Sequence, residues 1–424
     1  MRRLYSLALY LALPPALIYL AIRSLRNSAY RRRWAERFGF FEPPPETGGI
    51  LVHAASLGEV NAASALVRRL LQRSPRRPVV LTTFTPTGSE RARALFSGQV
   101  FHVYIPLDLP GAVRRFFDRL QPELVIVMET EIWPNLYHEA RRRQLPLLLV
   151  NARISERSMR GYQRFHALAA QTLRQLSRIG AQTAADAARL AQLGADREVI
   201  RVTGNLKFDL KLPPSLHEQG QALRAAWGAH RPVLIAGSTH EGDEIILLQA
   251  FRGLLTSSPR ALLVLVPRHP ERFGRAAQLA RDAGLRVRLR SEGINCPATT
   301  QCFVVDVMGE LPTFYAAGDV AFVGGSLAPV GGHNVLEPAA LGKPVVVGPH
   351  TANFKDITAE LVRREAALRV RGKADLEAAL KRLFREPDLR DRMGRAGERI
   401  VQSGQGALQR TLDLIDGVLT RADR

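Results

Sequence analysis

Cysteine is nearly absent: Cys296 and Cys302 are the only two in 424 residues. That excludes a disulfide framework. No second Cys or Cys/His pair stands near them to complete four zinc ligands, so they read as ordinary thiols in a reduced setting. Acidic residues are also scarce, with 39 Asp and Glu against 60 Lys and Arg and a formal net charge of +21. A balance this basic points to an acidic partner: nucleic acid, an anionic membrane or a phosphorylated substrate. The basic residues are spread along the chain without an aromatic-interleaved module, which sets nucleic acid aside. Low-complexity tracts are missing too, and 46% of the chain is apolar. The chain is therefore globular, with length enough for two cores of about 200 residues each.

One uncharged apolar run stands out, Leu4 to Ile22, between Arg2-Arg3 and the later Arg23, Arg26 and Arg31 to Arg33. As a helix it would extend about 28 Å, close to the hydrocarbon thickness of a bilayer. A cleaved signal peptide needs a small-residue site after the run, and arginines stand there instead. A buried core helix is the other rival, but so long an uncharged run at a terminus is uncommon in soluble domains. Pro14 and Pro15 interrupt helical hydrogen bonding, so the expectation is a membrane anchor that spans with a kink or lies partly in the interface. The arginines after it are expected on anionic head groups, with Trp34, Phe38, Phe40 and Phe41 as amphipathic anchors and the body on the cytoplasmic side.

After Pro43-Pro44-Pro45 the pattern turns regular. Gly49 to Ala54, Pro78 to Thr83, Leu124 to Met128 and Leu145 to Asn151 are short apolar runs with helical patterns between them, such as Val60 to Gln72. A second series follows at Pro232 to Gly237, Ala261 to Val266, Gln301 to Val305, Val320 to Gly324 and Pro344 to Val347, and the chain reads as helical from Asp375 onward. Such alternation predicts parallel sheets covered on both faces. The expected fold class is α/β: an anchor with its basic flank at 1–33, a Rossmann-like domain at 34–212, a linker at 213–230 rich in prolines and polar residues, and a second Rossmann-like domain at 231–424. In open sheets of this kind ligands bind beyond the carboxyl ends of the strands, here in a cleft between the domains.

The unusual residues sit just after strands. Glu59 follows the first one in His53-Ala54-Ala55-Ser56-Leu57-Gly58-Glu59, where a carboxylate is either a dipole-stabilised first-turn residue or a base. Met128-Glu129-Thr130-Glu131-Ile132-Trp133-Pro134-Asn135 carries two carboxylates that alternation puts on one side. Capping one helix does not explain both. Lys207, in Gly204-Asn205-Leu206-Lys207-Phe208-Asp209, either projects into the cleft or is an ordinary solvated lysine. In the second series, Gly237-Ser238-Thr239-His240 can offer backbone N–H groups to an anion, and Arg268, after Pro267, is placed to meet a phosphate. Met308-Gly309-Glu310 can present a backbone edge to a base. Gly324-Gly325-Ser326-Leu327 and Gly331-Gly332-His333-Asn334-Val335-Leu336-Glu337 read as a glycine-rich loop opening a helix, with room for a phosphate at its N-terminus and Glu337 able to accept from ribose hydroxyls.

Over nearly its whole length the sequence resembles the Kdo transferases of Gram-negative bacteria, which add 3-deoxy-D-manno-octulosonic acid (Kdo) to the lipid A precursor. HAASLGEV, METEIWPN, GNLKFD, GSTHEGD, PRHPERF, MGELPTFY and GGHNVLEPAALGKPVVVGP carry the resemblance. It implies an inverting GT-B glycosyltransferase of the inner membrane that uses CMP-Kdo, with no cofactor and no metal. By the same resemblance the proton acceptor falls on Glu59, and Glu129 and Lys207 assist the transition state. CMP contacts fall on Pro267 and Arg268, on Met308, Gly309 and Glu310, and on Asn334, Val335, Leu336 and Glu337. Asp306-Val307 departs from relatives that often carry a threonine there. A nucleotide-sugar epimerase on the same fold is the rival reading, and an apolar N-terminal segment gives it little support.

Overall fold

The computed structural model describes residues 1–26, 33–73, 75 and 77–422, and Arg31 and Arg32 of the basic flank lie outside them. Both expected sheets are present, each with seven parallel strands. The first contains β1 (Ile50–His53), β2 (Val79–Thr83), β3 (Phe101–Tyr104), β4 (Leu124–Met128), β5 (Leu147–Ala152), β6 (Arg178–Ala181) and β7 (Ile200–Val202), in the order β3-β2-β1-β4-β5-β6-β7. The second contains β8 (Val233–Thr239), β9 (Leu262–Pro267), β10 (Val287–Leu289), β11 (Cys302–Val304), β12 (Val320–Val323), β13 (Val345–Val347) and β14 (Ala367–Arg369), in the order β10-β11-β9-β8-β12-β13-β14.

Central strands are buried end to end because both faces are covered. In β1, Ile50 and Val52 join Leu81 and Ile126 under the helix Leu57–Arg73. Leu51 points the other way, to Val80, Val125 and the ring pair Phe116 and Phe117 of the helix Pro110–Leu120. Each such aliphatic or aromatic side chain contributes about 1.5–3 kcal/mol by leaving water. The order reverses between β1 and β4 in one sheet and between β8 and β12 in the other. Loops leaving the two strands at a reversal run to opposite faces and leave a crevice there.

The boundaries differ from the expected ones. One compact unit comprises residues 1–209 with 405–424, and the other comprises 210–404. The stretch read as a linker holds the helix Leu216–Trp227, and Leu216, Leu223 and Trp227 are buried along one stripe. Trp227 stacks parallel to Phe314 at 6.1 Å, and Gly220 lies so close to Ala316 that an added Cβ would approach its backbone to 2.9 Å. Residues 216–227 therefore belong to the second unit's core. The last helix, Ala407–Ala422, belongs to the first: Leu412, Ile415 and Val418 enter the layer around Val60 and Leu66. Asp209 fixes its start by accepting the N–H groups of Gly406 and Leu408.

The N-terminal run is one helix, Arg2–Arg26, with Pro14 and Pro15 inside it. Among the described residues no helix is long and apolar enough to cross a membrane. Arg33 is turned into the protein: it donates to the carbonyl of His102 at 2.9 Å and lies over the Tyr104 ring. Phe41 packs on Phe116, and Phe40 lies under the Arg115 guanidinium at 4.3 Å. Arg33 and Phe41 are thus structural contacts of the first unit, not lipid contacts.

Candidate active site

In the first unit three carboxylates, Glu59, Glu129 and Glu131, follow the strand ends where β1 and β4 part. Glu59 lies in the first turn of Leu57–Arg73, and its carboxylate folds back to accept the Ala55 N–H at 2.9 Å and the Ser56 hydroxyl at 3.1 Å. These bonds cap the helix and also fix the carboxylate. Burial, then the charges of Glu129 and Glu131, push it up to about 8 against the two hydrogen bonds. A carboxylate of that basicity can take a proton near neutral pH.

Glu129 ends β4 in a left-handed conformation, φ +54°. Such a backbone is costly for a residue with a Cβ and breaks the strand's alternation. Its buried carboxylate accepts from Arg153 Nε at 2.9 Å, while its N–H donates to Val150. Glu131 accepts the Trp133 indole N–H at 2.9 Å and lies 3.8 Å from His53 Nε2. Burial works to raise this carboxyl, but the His53 ring and the indole outweigh it and hold it below the ordinary range. The three carboxyls are therefore unequal: burial and its acidic neighbours raise Glu59, whereas Glu129 meets Arg153 and Glu131 meets Trp133 and His53.

Lys207 sits in the short turn Leu206–Phe208, which packs against the helix carrying Glu59. Asn151, itself at φ +52°, accepts the Leu206 N–H at 3.0 Å and so ties this turn to the end of β5. Sequence reasoning missed Arg153 and Trp133 as partners of the acidic pair. Both follow directly after a strand or its turn, the signal that found Glu59.

In the second unit the carboxyl ends of β11, β9, β8 and β12 are neighbours. Met308, Gly309 and Glu310, then Pro267 and Arg268, then His240, then Asn334 to Glu337 accordingly follow one another along one edge. The Arg268 N–H donates to Thr239, and its exposed side chain lies near enough to lower the Glu337 carboxyl. The Asn334 amide, donating at 3.0 Å, also works to lower it, but burial outweighs both and leaves Glu337 above its ordinary range. Glu310 is paired on both oxygens with Arg290, at 2.9 and 3.0 Å, so only its backbone is left to meet a base.

The glycine-rich loop is organised differently from the expected phosphate cradle. The fully buried Asp243 accepts the N–H groups of Gly325, Leu327 and Ala328 at 2.7–2.9 Å, so those amides are already occupied. The helix Leu336–Ala340 is only 5 residues long, and the Leu336 N–H is held by the Asn334 side chain. Gly331 and Gly332, both at positive φ, shape the approach to it. Two histidines had no assigned role: His240 and His333 stack 5.2 Å apart with their Nε2 atoms at 2.9 Å. Burial, then His240, Arg268 and His269, push His333 down to about 4, so at neutral pH the ring is uncharged. Beside the loop lies a cavity of about 510 Å³ lined by Val330, His350, Lys355 and Arg369. Among the described residues no three His, Cys, Asp or Glu side chains converge as metal ligands.

Residues 32–210 match the family model described as 3-deoxy-D-manno-octulosonic-acid transferase (kdotransferase). The 3-deoxy-D-manno-octulosonic acid transferase of Haemophilus influenzae is 44% identical over 425 residues, covering 99% of this chain and 99% of its own length. That of Bordetella pertussis is 40% identical over 429 residues, covering 98% and 99%. A crystal structure of UDP-GlcNAc 2-epimerase from Neisseria meningitidis bound to UDP-GlcNAc aligns with a TM-score of 0.55 at 14% identity, covering 87% of this chain and 99% of that one. At that identity the likeness is one of fold alone.

Proposed function

The chain belongs to the 3-deoxy-D-manno-octulosonic acid transferase family, and from that premise we propose that Glu59 is the base of an inverting transfer from CMP-Kdo to the lipid A precursor, lipid IVA. The enzyme is a glycosyltransferase that moves Kdo in lipopolysaccharide biosynthesis. One observation carries the base assignment: a carboxylate fixed by Ala55 and Ser56 and lifted to about 8 at the strand-order reversal. A sugar hydroxyl is a poor nucleophile, and its proton must leave as the oxygen attacks. Glu59 accepts that proton. The hydroxyl oxygen forms its bond to the anomeric carbon as the bond to the CMP phosphate breaks, so a single displacement inverts the configuration.

The anomeric carbon gains positive character in the transition state, and the departing phosphate gains negative charge. Glu129 and Lys207 assist this transition state within the first unit. In the second, Arg268 with Pro267, the backbone of Met308 to Glu310, and Asn334 to Glu337 hold CMP, with Arg268 opposite the phosphate. The Asn334-bound Glu337 suits ribose hydroxyls. The body works on the cytoplasmic face of the inner membrane, with Arg2–Arg26 lying in the interface. That reading is supported by Leu4, Leu7, Leu11, Ile18 and Ile22, all large apolar side chains exposed on one helix.

The test compares Kdo transfer from CMP-Kdo to the tetra-acylated precursor by the wild type and Glu59→Ala, with CMP binding measured on both. A variant that binds CMP normally and transfers nothing is the expected result. An active variant moves the base to Glu129 or Glu131, and a wild type that leaves the lipid untouched removes the acceptor assignment.

A further inference from the structure

The first unit contains a pocket that none of Glu59, Glu129 and Lys207 lines. It measures about 410 Å³ and lies between the start of Arg2–Arg26 and the helices Pro110–Leu120 and Pro134–Arg142. Arg2, Arg3, Arg114, Arg142 and His138 line it, with Ser6 at its floor. Its one carboxylate, Glu139, is already saturated by Arg142 at 2.6 and 2.9 Å and by Arg143 at 2.8 Å. Arg3 and Arg114 are exposed and make no ion pair among the described residues. The excess of positive charge is felt locally: burial, then Arg2, and to a smaller degree Arg142, hold the His138 imidazole below its ordinary range against Glu139.

The pocket is built rather than incidental. Asn135 Oδ1 accepts from Arg2 at 3.0 Å and from Ser6 at 3.0 Å, fastening the N-terminal helix to the first turn of Pro134–Arg142. Buried Asp108 secures the same turn through the Asn135 and Leu136 N–H groups at 2.9 and 2.8 Å. Leu7, Tyr10 and Pro110 supply an apolar wall that continues into the exposed apolar side chains of the helix. Cationic groups around a polar floor, open beside an apolar strip, match a charged head attached to an acyl tail.

We propose that this pocket binds the phosphomonoester headgroup of an anionic membrane lipid. Three or four guanidinium groups supply more charge than a singly charged diester requires, and they match a dianionic phosphate. The proposal rests on the reading that the enzyme works at a lipid surface. Through Asn135, only two residues from Trp133, an occupied pocket fixes the membrane plane relative to the acidic cluster.

The test is binding of the full-length protein to phosphatidylcholine vesicles with or without about one phosphatidic acid in five lipids. The variant is Arg3→Ala with Arg114→Ala, two exposed positions. The charge-matched control is Arg252→Ala with Arg281→Ala, exposed in the second unit. Circular dichroism verifies folding. The expected result is a preference of the wild type for phosphatidic acid, an about tenfold loss of it in the variant, and retention in the control. Equal losses in variant and control would mean that net charge alone binds, and no wild-type preference would mean that no such site exists; either overturns the proposal. A wild type thermally stabilised by inorganic phosphate at matched ionic strength, but indifferent to phosphatidic acid, would make this a free-phosphate site and also overturn it. The assay requires no sugar transfer, so a chain that fails to transfer Kdo yet keeps the vesicle preference loses the transferase reading and retains the pocket.

Discussion

A Glu59→Gln substitution keeps the shape of the side chain and removes its charge, and activity and stability should respond in opposite directions. The wild-type carboxyl is lifted from 4.5 to about 8 in the folded protein. Its protonated form stabilises the fold in full below pH 4.5, and that contribution is lost as the pH rises through about 8. Above that pH the ionised, half-buried group disfavours the fold by about 2–3 kcal/mol after allowance for its partial exposure. Glutamine removes this penalty and weakens one of the two bonds to Ala55 and Ser56, at about 1 kcal/mol. The variant should therefore be about 1–2 kcal/mol more stable than the wild type at about pH 9, which raises Tm by about 3–6 °C for a unit of this size, and the gain should vanish at about pH 5. Kdo transfer should fall about 10²–10⁴-fold, the usual worth of a positioned base. Thermal unfolding across pH beside initial transfer rates measures both. A variant that loses activity and stability together at high pH would show that Glu59 is a structural cap, and a variant of near-normal rate would refute the base assignment.

The wild-type kcat/KM should rise with pH through about 8 as Glu59 loses its proton, and a profile flat across that range would contradict the assignment. Asp243→Ala should free the amides of Gly325, Leu327 and Ala328, cost about 3–5 kcal/mol in chemical denaturation, and weaken CMP binding by calorimetry at least tenfold. Arg153→Ala should leave Glu129 buried without its 2.9 Å partner and lower transfer about tenfold while CMP affinity stays normal. Ile415→Ala, in the last helix, should cost the first unit about 2–5 kcal/mol and leave CMP binding by the second unit unchanged, which calorimetry checks.

The central strands were legible locally. β1, β4, β8 and β9 are nearly continuous apolar runs buried on both faces, and polar or charged residues follow each of them, so their ends could be located without coordinates. Edge strands gave no such signal: β10 and β14 are three residues each and partly exposed. The helix Leu216–Trp227 was hidden behind Pro213 and Pro214, although Leu216, Gly220, Leu223 and Trp227 are spaced as one helical stripe. The return of Ala407–Ala422 to the first unit depends on Asp209, about 200 positions earlier, and no local pattern encodes such a contact. Glu59, Glu129 and Arg268 announced themselves by type and place. Their partners did not: Arg153, Asp243 and the His240–His333 pair are identified only by distances across strands. The glycine-rich loop misled because glycines mark an unusual backbone and do not say which acceptor its amides meet.

The central claim is that the sugar is handed to a lipid hydroxyl with inversion, and acceptor-dependent turnover tests it most directly. CMP release from CMP-Kdo should be followed with and without the tetra-acylated precursor, and the anomeric configuration of the product read by NMR. The expected result is CMP release that requires the lipid and a product of inverted configuration. Donor consumed equally fast without the lipid, or a product of retained configuration, would contradict the account.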